Sequence, residues 1–176
     1  MSKWEEDLEW SEAAKPIQDL VYRYVFGDTL QDIARFSKDD RHVLDREYHI
    51  DVELTLKNGI KLLGQEKALR KQFAEFNTFT IEFYQNRYTK EKGEFFNLGA
   101  QFYLHGYLDG DTPDEIKVSR KFIKCYFIKI FDFLEYLKKK PINILEKNSR
   151  RSSGNASFYY IQYDSIPKEF IYWRTP

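Results

Sequence analysis

The sequence predicts an α+β fold, α/β-like in its element order: a central mixed β-sheet of about five strands flanked by helices. Three observations carry this. A stretch with helical spacing opens the chain, a strictly alternating segment lies near residue 50, and a near-continuous apolar run at residues 122–130 precedes a second helical pattern. The length of 176 residues is that of one ordinary domain, residues 1–176, with room for a proper core.

In residues 4–26, Trp4, Leu8, Ala13, Ile17, Leu20, Val21, Tyr24 and Val25 recur mostly at three- and four-residue intervals, as on a helix packed against a sheet. Pro16 is expected to divide that helix near Ser11 or Lys15, and Gly27 to stop it. Glu12 is placed to approach a site from this helix, though a solvated charge is the plainer reading. Asp28 and Thr29 suit a short helical cap, residues 33–36 a short strand, and residues 37–41 a turn. Residues 49–56 alternate, with Ile50, Val52, Leu54 and Leu56 on one side and Asp51, Glu53 and Thr55 on the other. Lys57-Asn58-Gly59 is a tight turn and residues 60–69 the return strand. A helical turn at 67–76, a strand at 79–85, a polar loop at 87–93 and one or two helical turns at 94–101 follow. Residues 102–108 read as a strand and 109–115 as a loop, with 109–120 the stretch most open to insertion. The run at 122–130 suits a central strand. Residues 131–140 form a helix closing on lysines and stopped by Pro141. A basic flexible loop at 147–155 and a last strand at 158–163 complete the pattern.

Composition excludes several classes. The 28 basic and 28 acidic residues balance, which argues against a generic nucleic-acid coat while leaving room for a local basic patch. One cysteine, Cys125, rules out an internal disulfide or a Cys-rich zinc site, and the three histidines have no metal-ligand spacing. The acidic start is not that of a signal peptide, and the apolar run near Cys125 is too short for a bilayer, so a cytoplasmic protein without membrane contact is expected. With 15 Phe, 13 Tyr and 3 Trp, the rings fill the core and leave some to stack on bases.

The hairpin at 49–69 carries the densest chemistry, and its register decides what that chemistry can be. A two-residue Asn58-Gly59 turn pairs Lys57 with Ile60, sets Asp51 against Glu66 and scrambles the apolar and polar faces. A type I turn centred on Lys57-Asn58, with Gly59 left-handed, pairs Leu56 with Ile60, Leu54 with Leu62 and Val52 with Gly64. A one-residue slip flips every side chain, so burial favours the second register. There Asp51 faces Gln65, His49 faces Lys67, and Asp51, Gln65 and Lys67 share a side; Glu66 is the second ligand in the other register. Cross-strand partners have Cβ atoms about 5 Å apart, close enough to share a hard cation that takes oxygen ligands at about 2.1 Å. Lys67 is then placed to orient a water and to stabilise charge developing on a phosphate oxygen. Glu82, on the following strand, adds a carboxylate or pairs with a nearby lysine.

Asp51, thirteen intervening residues and then Gln65-Glu66-Lys67 on a hairpin resemble the motif of the PD-(D/E)xK nuclease superfamily, with Ile50 where the family often has Pro and Gln65 in the acidic position. The likeness is to small phage, archaeal, resolvase-like and restriction-type members, and covers roughly residues 10–165 in element order. It implies a Mg²⁺- or Mn²⁺-dependent endonuclease or exonuclease, with DNA ahead of RNA as substrate. Asp51 and Gln65, helped by Glu82 and the Glu66 carbonyl, would hold the metal, and Lys67 would position the water. A homodimer would suit two-strand cleavage. Gln65 removes one negative charge from the site, so the alternative is an inactive nuclease-fold module that binds nucleic acid or a protein partner. A third reading is an unrelated α+β accessory protein. Arg87, Lys147, Arg150 and Arg151 are the candidate phosphate contacts, against the plainer reading of solvated loop charges.

Overall fold

Residues 3–36, 42–151 and 154–175 are described by a computed structural model. The chain opens with helix α1 (Lys3–Phe26), which runs unbroken for 24 residues through Pro16. The expected division is absent because Trp10, Ala14, Ile17 and Val21 are buried on both sides of the proline, and their packing overrides the lost N–H. Gly27, left-handed at φ +51°, ends the helix as expected.

The remaining elements follow in order: β1 (Leu30–Arg35), α2 (His42–Tyr48), β2 (Val52–Leu56), β3 (Lys61–Leu69), β4 (Thr78–Asn86), β5 (Glu91–Lys92), α3 (Glu94–Asn97) and β6 (Phe102–Leu108). Then come α4 (Pro113–Ser119), β7 (Phe122–Ile128), α5 (Ile130–Lys138), α6 (Ile142–Lys147), β8 (Ser149–Arg151), β9 (Ser157–Gln162) and β10 (Ile171–Arg174). Six strands form a mixed sheet in the order β1-β2-β3-β6-β7-β10, parallel at β3–β6 and antiparallel elsewhere. A second, antiparallel sheet has the order β5-β4-β9-β8.

The architecture is therefore α+β, with helices flanking a mixed sheet. The second sheet was not legible in the sequence, and it takes the strand that carries Glu82 out of the central sheet. One face of the six-stranded sheet packs on α1, with Val21 and Tyr22 against Val52, Leu54, Phe102, Leu104 and Phe127. Farther along, Trp10, Ala14 and Ile17 meet Leu108 and Ile116 of α4. The other face packs on the second sheet and α5, where Tyr103, Tyr107 and Ile128 meet Phe79, Ile81, Phe133 and Leu137.

Several expectations are corrected. The strand expected to be central, β7, is interior, paired between β6 and β10, while β6 beside it is the one buried at every position. The 109–120 stretch is not a free loop, since α4 is capped by the Thr112 hydroxyl and buries Ile116 against α1. Within the basic loop expected at 147–155, Ser149–Arg151 form β8 and pair with β9. Helix α2 and strand β10 carried no sequence signal of their own. The turn expected at 37–41 lies outside the described residues. No helix among the described residues is long and apolar enough to cross a membrane.

The hairpin adopts the second register: Val52 pairs with Gly64, Glu53 with Leu63 and Leu54 with Leu62. Gly59 is left-handed at φ +82°, its N–H bonds the Leu56 carbonyl at 2.8 Å, and the Leu56 N–H bonds the Ile60 carbonyl at 2.8 Å. Gly64 has a second role. A Cβ there would lie 2.1 Å from the Phe102 ring, which is itself held edge-on against Tyr22 and Phe127. Gly64→Ala is accordingly expected to destabilise the fold by about 3 kcal/mol through overpacking. An unchanged urea midpoint in this variant would show that the ring has room to move.

Candidate active site

Alternation on β3 sends Gly64, Glu66 and Ala68 toward α1, and Gln65, Lys67 and Leu69 toward the second sheet. The two faces have different chemistry. On the α1 side the Glu66 carboxylate is fully engaged. Arg35 donates to it from Nε and Nη2, each at 3.0 Å, and the Tyr22 hydroxyl donates at 2.8 Å. Arg35 also donates to Asp19 at 2.7 Å. Burial works against the Arg35 charge, but Glu66 and Asp19 outweigh it and raise its pKa. Glu66 is thus an anchor between sheet and helix, and its carboxylate is not available as the alternative metal ligand.

Asp51 lies where β2 ends. The alternation expected through residues 50–56 breaks there: Ile50 is buried in the core facing the second sheet, and Val52 in the core facing α1. Preceding them, His49 is left-handed at φ 50°, so the strand starts at Val52 rather than at His49. Asp51 therefore does not share a face with Gln65 and Lys67. Its N–H bonds the Gly64 carbonyl at 2.9 Å, its carbonyl accepts from Phe36 at 3.0 Å, and its Oδ2 accepts the Glu66 N–H at 3.0 Å. The carboxylate stands in for the backbone carbonyl that a longer β2 would have offered. Its charge is felt on both sides, contributing to the raised pKa of Tyr22 below the sheet and of Tyr103 above it, after the larger effect of burial.

On the second-sheet side, Gln65, Lys67, Glu82, Glu94, Tyr103 and His49 line a cavity of about 270 Å³. Glu94, at the start of α3, is its hub. It accepts from Gln65 Nε2 at 3.0 Å, from the Glu82 N–H at 3.2 Å and from the Tyr103 hydroxyl at 3.5 Å. Glu82 precedes a β-bulge in β4 and is crowded by Gly93, where a Cβ would fall 2.8–2.9 Å from its side chain and carbonyl. Burial, then the neighbouring Glu94 carboxylate, raise the Glu82 pKa, with His49 and Lys67 opposing. Lys67 Nζ lies 4.7 Å from the Phe158 ring centroid, and burial lowers its pKa against the pull of Glu94 and Glu82. Gln65, 8 % exposed, leaves its Oε1 buried and without a hydrogen-bond partner among the described residues.

The structure thus brings Gln65, Lys67 and Glu82 together and sets Asp51 at the gap beside them. It adds Glu94 and Tyr103, which sequence reasoning missed. The available signal for Glu94 was its position after Gly93, at the start of a helical turn. Glu66 and Lys67 also border a larger cavity of about 570 Å³ under α1, shared with Asp51 and with Glu12, which pairs with Lys15. Of the proposed phosphate contacts, Arg150 packs on Tyr160, its guanidinium carbon 4.2 Å from the ring centroid. Arg87 folds onto Tyr88 past the end of β4, about 16 Å along the strand from Glu82. Lys147 is exposed at the end of α6, and the Arg151 side chain lies outside the described residues.

Comparison with protein-family models, curated proteins and solved structures gives no match. The site must therefore be read from its own chemistry. Its donors are carboxylate and amide oxygens, which suit a hard divalent cation such as Mg²⁺ or Mn²⁺. The Gln65 Oε1, partnerless among the described residues, is the observation of fit; Glu94 and Glu82 supply negative charge in the same cavity, and the field of Asp51 reaches its Tyr103 wall.

Because the folded state raises the Glu82 pKa above its ordinary 4.5, this group's contribution to stability is complete below that value. The contribution is lost as pH rises through the folded-state pKa. In metal-free buffer, Glu82→Gln should therefore gain stability relative to the parent between about pH 4 and about pH 7. Paired urea melts at the two pH values measure this. A gap that does not widen would mean that Glu82 is not strained by its surroundings.

Proposed function

We propose that the protein is a divalent-metal-dependent nuclease that cleaves phosphodiester bonds in nucleic acid, DNA ahead of RNA. The reading rests on one observation above others: a buried, unpartnered amide oxygen beside two carboxylates and a desolvated lysine. Two acids held close in a half-buried cavity repel each other, and Lys67 offsets only part of that charge. A divalent cation would complete the balance. Gln65 Oε1 and the Glu82 and Glu94 carboxylates would hold it, with Asp51 approaching from the gap in the sheet. Bound there, it would polarise a phosphoryl oxygen and acidify a water.

The protein's own residues supply the rest. Glu94 fixes the Gln65 amide through Nε2 and leaves Oε1 without a partner among the described residues. Tyr103 and the Glu82 N–H fix Glu94 in turn. Lys67 is held by burial and by Phe158, so its ammonium has little water to shield it and acts strongly on charge that develops on a phosphate. Its lowered pKa also eases proton exchange with an attacking water. The Asp51…Gln65-x-Lys67 spacing resembles the PD-(D/E)xK motif, but the Asp51 carboxylate accepts the Glu66 N–H rather than facing Gln65 and Lys67. The Glu94 carboxylate supplies charge where Gln65 does not.

Incubation with linear, branched and single-stranded substrates in Mn²⁺ should give cleavage that EDTA abolishes and that Lys67→Ala lowers by about a hundredfold. Gln65→Ala and Glu82→Ala should also weaken Mn²⁺ binding in calorimetric titration. Absence of cleavage across the panel, with Mn²⁺ binding unchanged in both variants, overturns the proposal.

A further inference from the structure

Beside the acidic cavity runs a second recess, an open groove of about 640 Å³ that shares Lys67 as a wall. Its composition is unusual for a chain with balanced charge: among the described residues its charged members are Lys67 and Arg150, both basic, and no acidic side chain lines it. Its other walls are largely aromatic. Phe73 and Phe76, on the 3₁₀ turn after β3, are 41 % and 57 % exposed and lie face to face with centroids 6.3 Å apart and 19° between planes. Opposite them, Phe158 and Tyr160 of β9 carry the Lys67 ammonium and the Arg150 guanidinium on their faces.

We infer that this groove seats an unpaired DNA strand, with bases stacked on Phe73 and Phe76 and the backbone drawn along Arg150 and Lys67 into the acidic cavity. The inference deepens the nuclease proposal and takes its ligand class from it. Exposed rings in water need a flat apolar partner, and nucleobases offer one whatever their identity. The cations match the phosphates between the bases, and the Arg150 guanidinium, already parked on a ring, is pre-ordered for that contact. A paired duplex fits poorly, because its bases are stacked on each other and present only edges and backbone. Lys67 and Phe158 line both recesses, so a strand stacked on Phe73 and Phe76 lies next to the cavity of Gln65, Glu82 and Glu94.

Binding can be tested apart from cleavage. In EDTA, fluorescence anisotropy of the full chain with a labelled DNA strand of about 12 nucleotides should show at least tenfold tighter binding than to the matching blunt duplex. The Phe73→Ala/Phe76→Ala double variant should lose at least tenfold for the single strand and little for the duplex. Arg150→Ala should lower the salt-dependence slope by about one. A 2-aminopurine placed in the strand should be quenched by the parent and not by the double variant, a readout of stacking that a change in fold stability would not mimic. Equal affinity for strand and duplex, an unchanged double variant, or tenfold tighter binding of an RNA strand overturns the inference. Strand binding in EDTA without any cleavage in Mn²⁺ upholds the groove and removes the nuclease; cleavage with no strand preference does the reverse.

Discussion

A left-handed glycine at position 59 decides which side of the sheet every residue of β2 and β3 occupies. With Gly59 closing the turn, Leu54 and Leu62 share the core under α1, Gly64 makes room for Phe102, and consecutive residues of β3 part company. Glu66 goes down to Arg35 and Tyr22; Gln65 and Lys67 go up to Glu82 and Glu94. A register moved by one residue would exchange these sets, burying Lys67 under α1 and leaving Arg35 without its carboxylate. The apolar pattern and the polar site are therefore fixed by the same turn.

The two sides of β3 treat charge in opposite ways. Below, Glu66 meets the Arg35 guanidinium in a bidentate pair, with a phenol on the same carboxylate and Asp19 on the same guanidinium, so each of these groups has a partner. Removing one member of such a half-buried pair leaves the other uncompensated, which is why the cluster serves as a clamp between α1 and the sheet. Above, two acids face one lysine whose charge burial disfavours, and the Gln65 amide oxygen beside them has no partner among the described residues. A structural clamp satisfies its groups, whereas a site that binds must leave some of them wanting. Asp51 stands at the junction, its carboxylate in the sheet and its field reaching both sides.

Much of this was legible in the sequence where local rules dominate. Residues 102–108 read as a strand and form one, Gly27 stops a helix, and Lys57-Asn58 with a left-handed Gly59 makes the turn that burial demands. What was not legible depended on distant partners. Pro16 reads as a break, yet sits in a continuous helix because Trp10 and Ile17 find buried places on either side. Residues 79–85 look like one more strand of a single sheet, and nothing in their alternation says that they pair with β9 instead. Asp51 reads as a regular strand residue, but Ile50 and Val52 enter different cores and the alternation breaks between them. Glu94 could not be singled out, because its role comes from Gln65, Tyr103 and Glu82, which reach it across two sheets.

The parallel pairing of β3 with β6 has a consequence for the order in which the protein is built. Parallel neighbours cannot be joined by a tight turn, and the crossover between these two, residues 70–101, is where Glu82 and Glu94 are carried. The β2–β3 hairpin can zip early from its own turn, since its contacts are local. The acids cannot join it until a long loop has closed and the second sheet has docked. During synthesis or refolding the lysine arm thus exists before the carboxylates arrive. The charge-dense cavity therefore needs the crossover closed and the second sheet docked, and the core those steps build is what holds its like charges together.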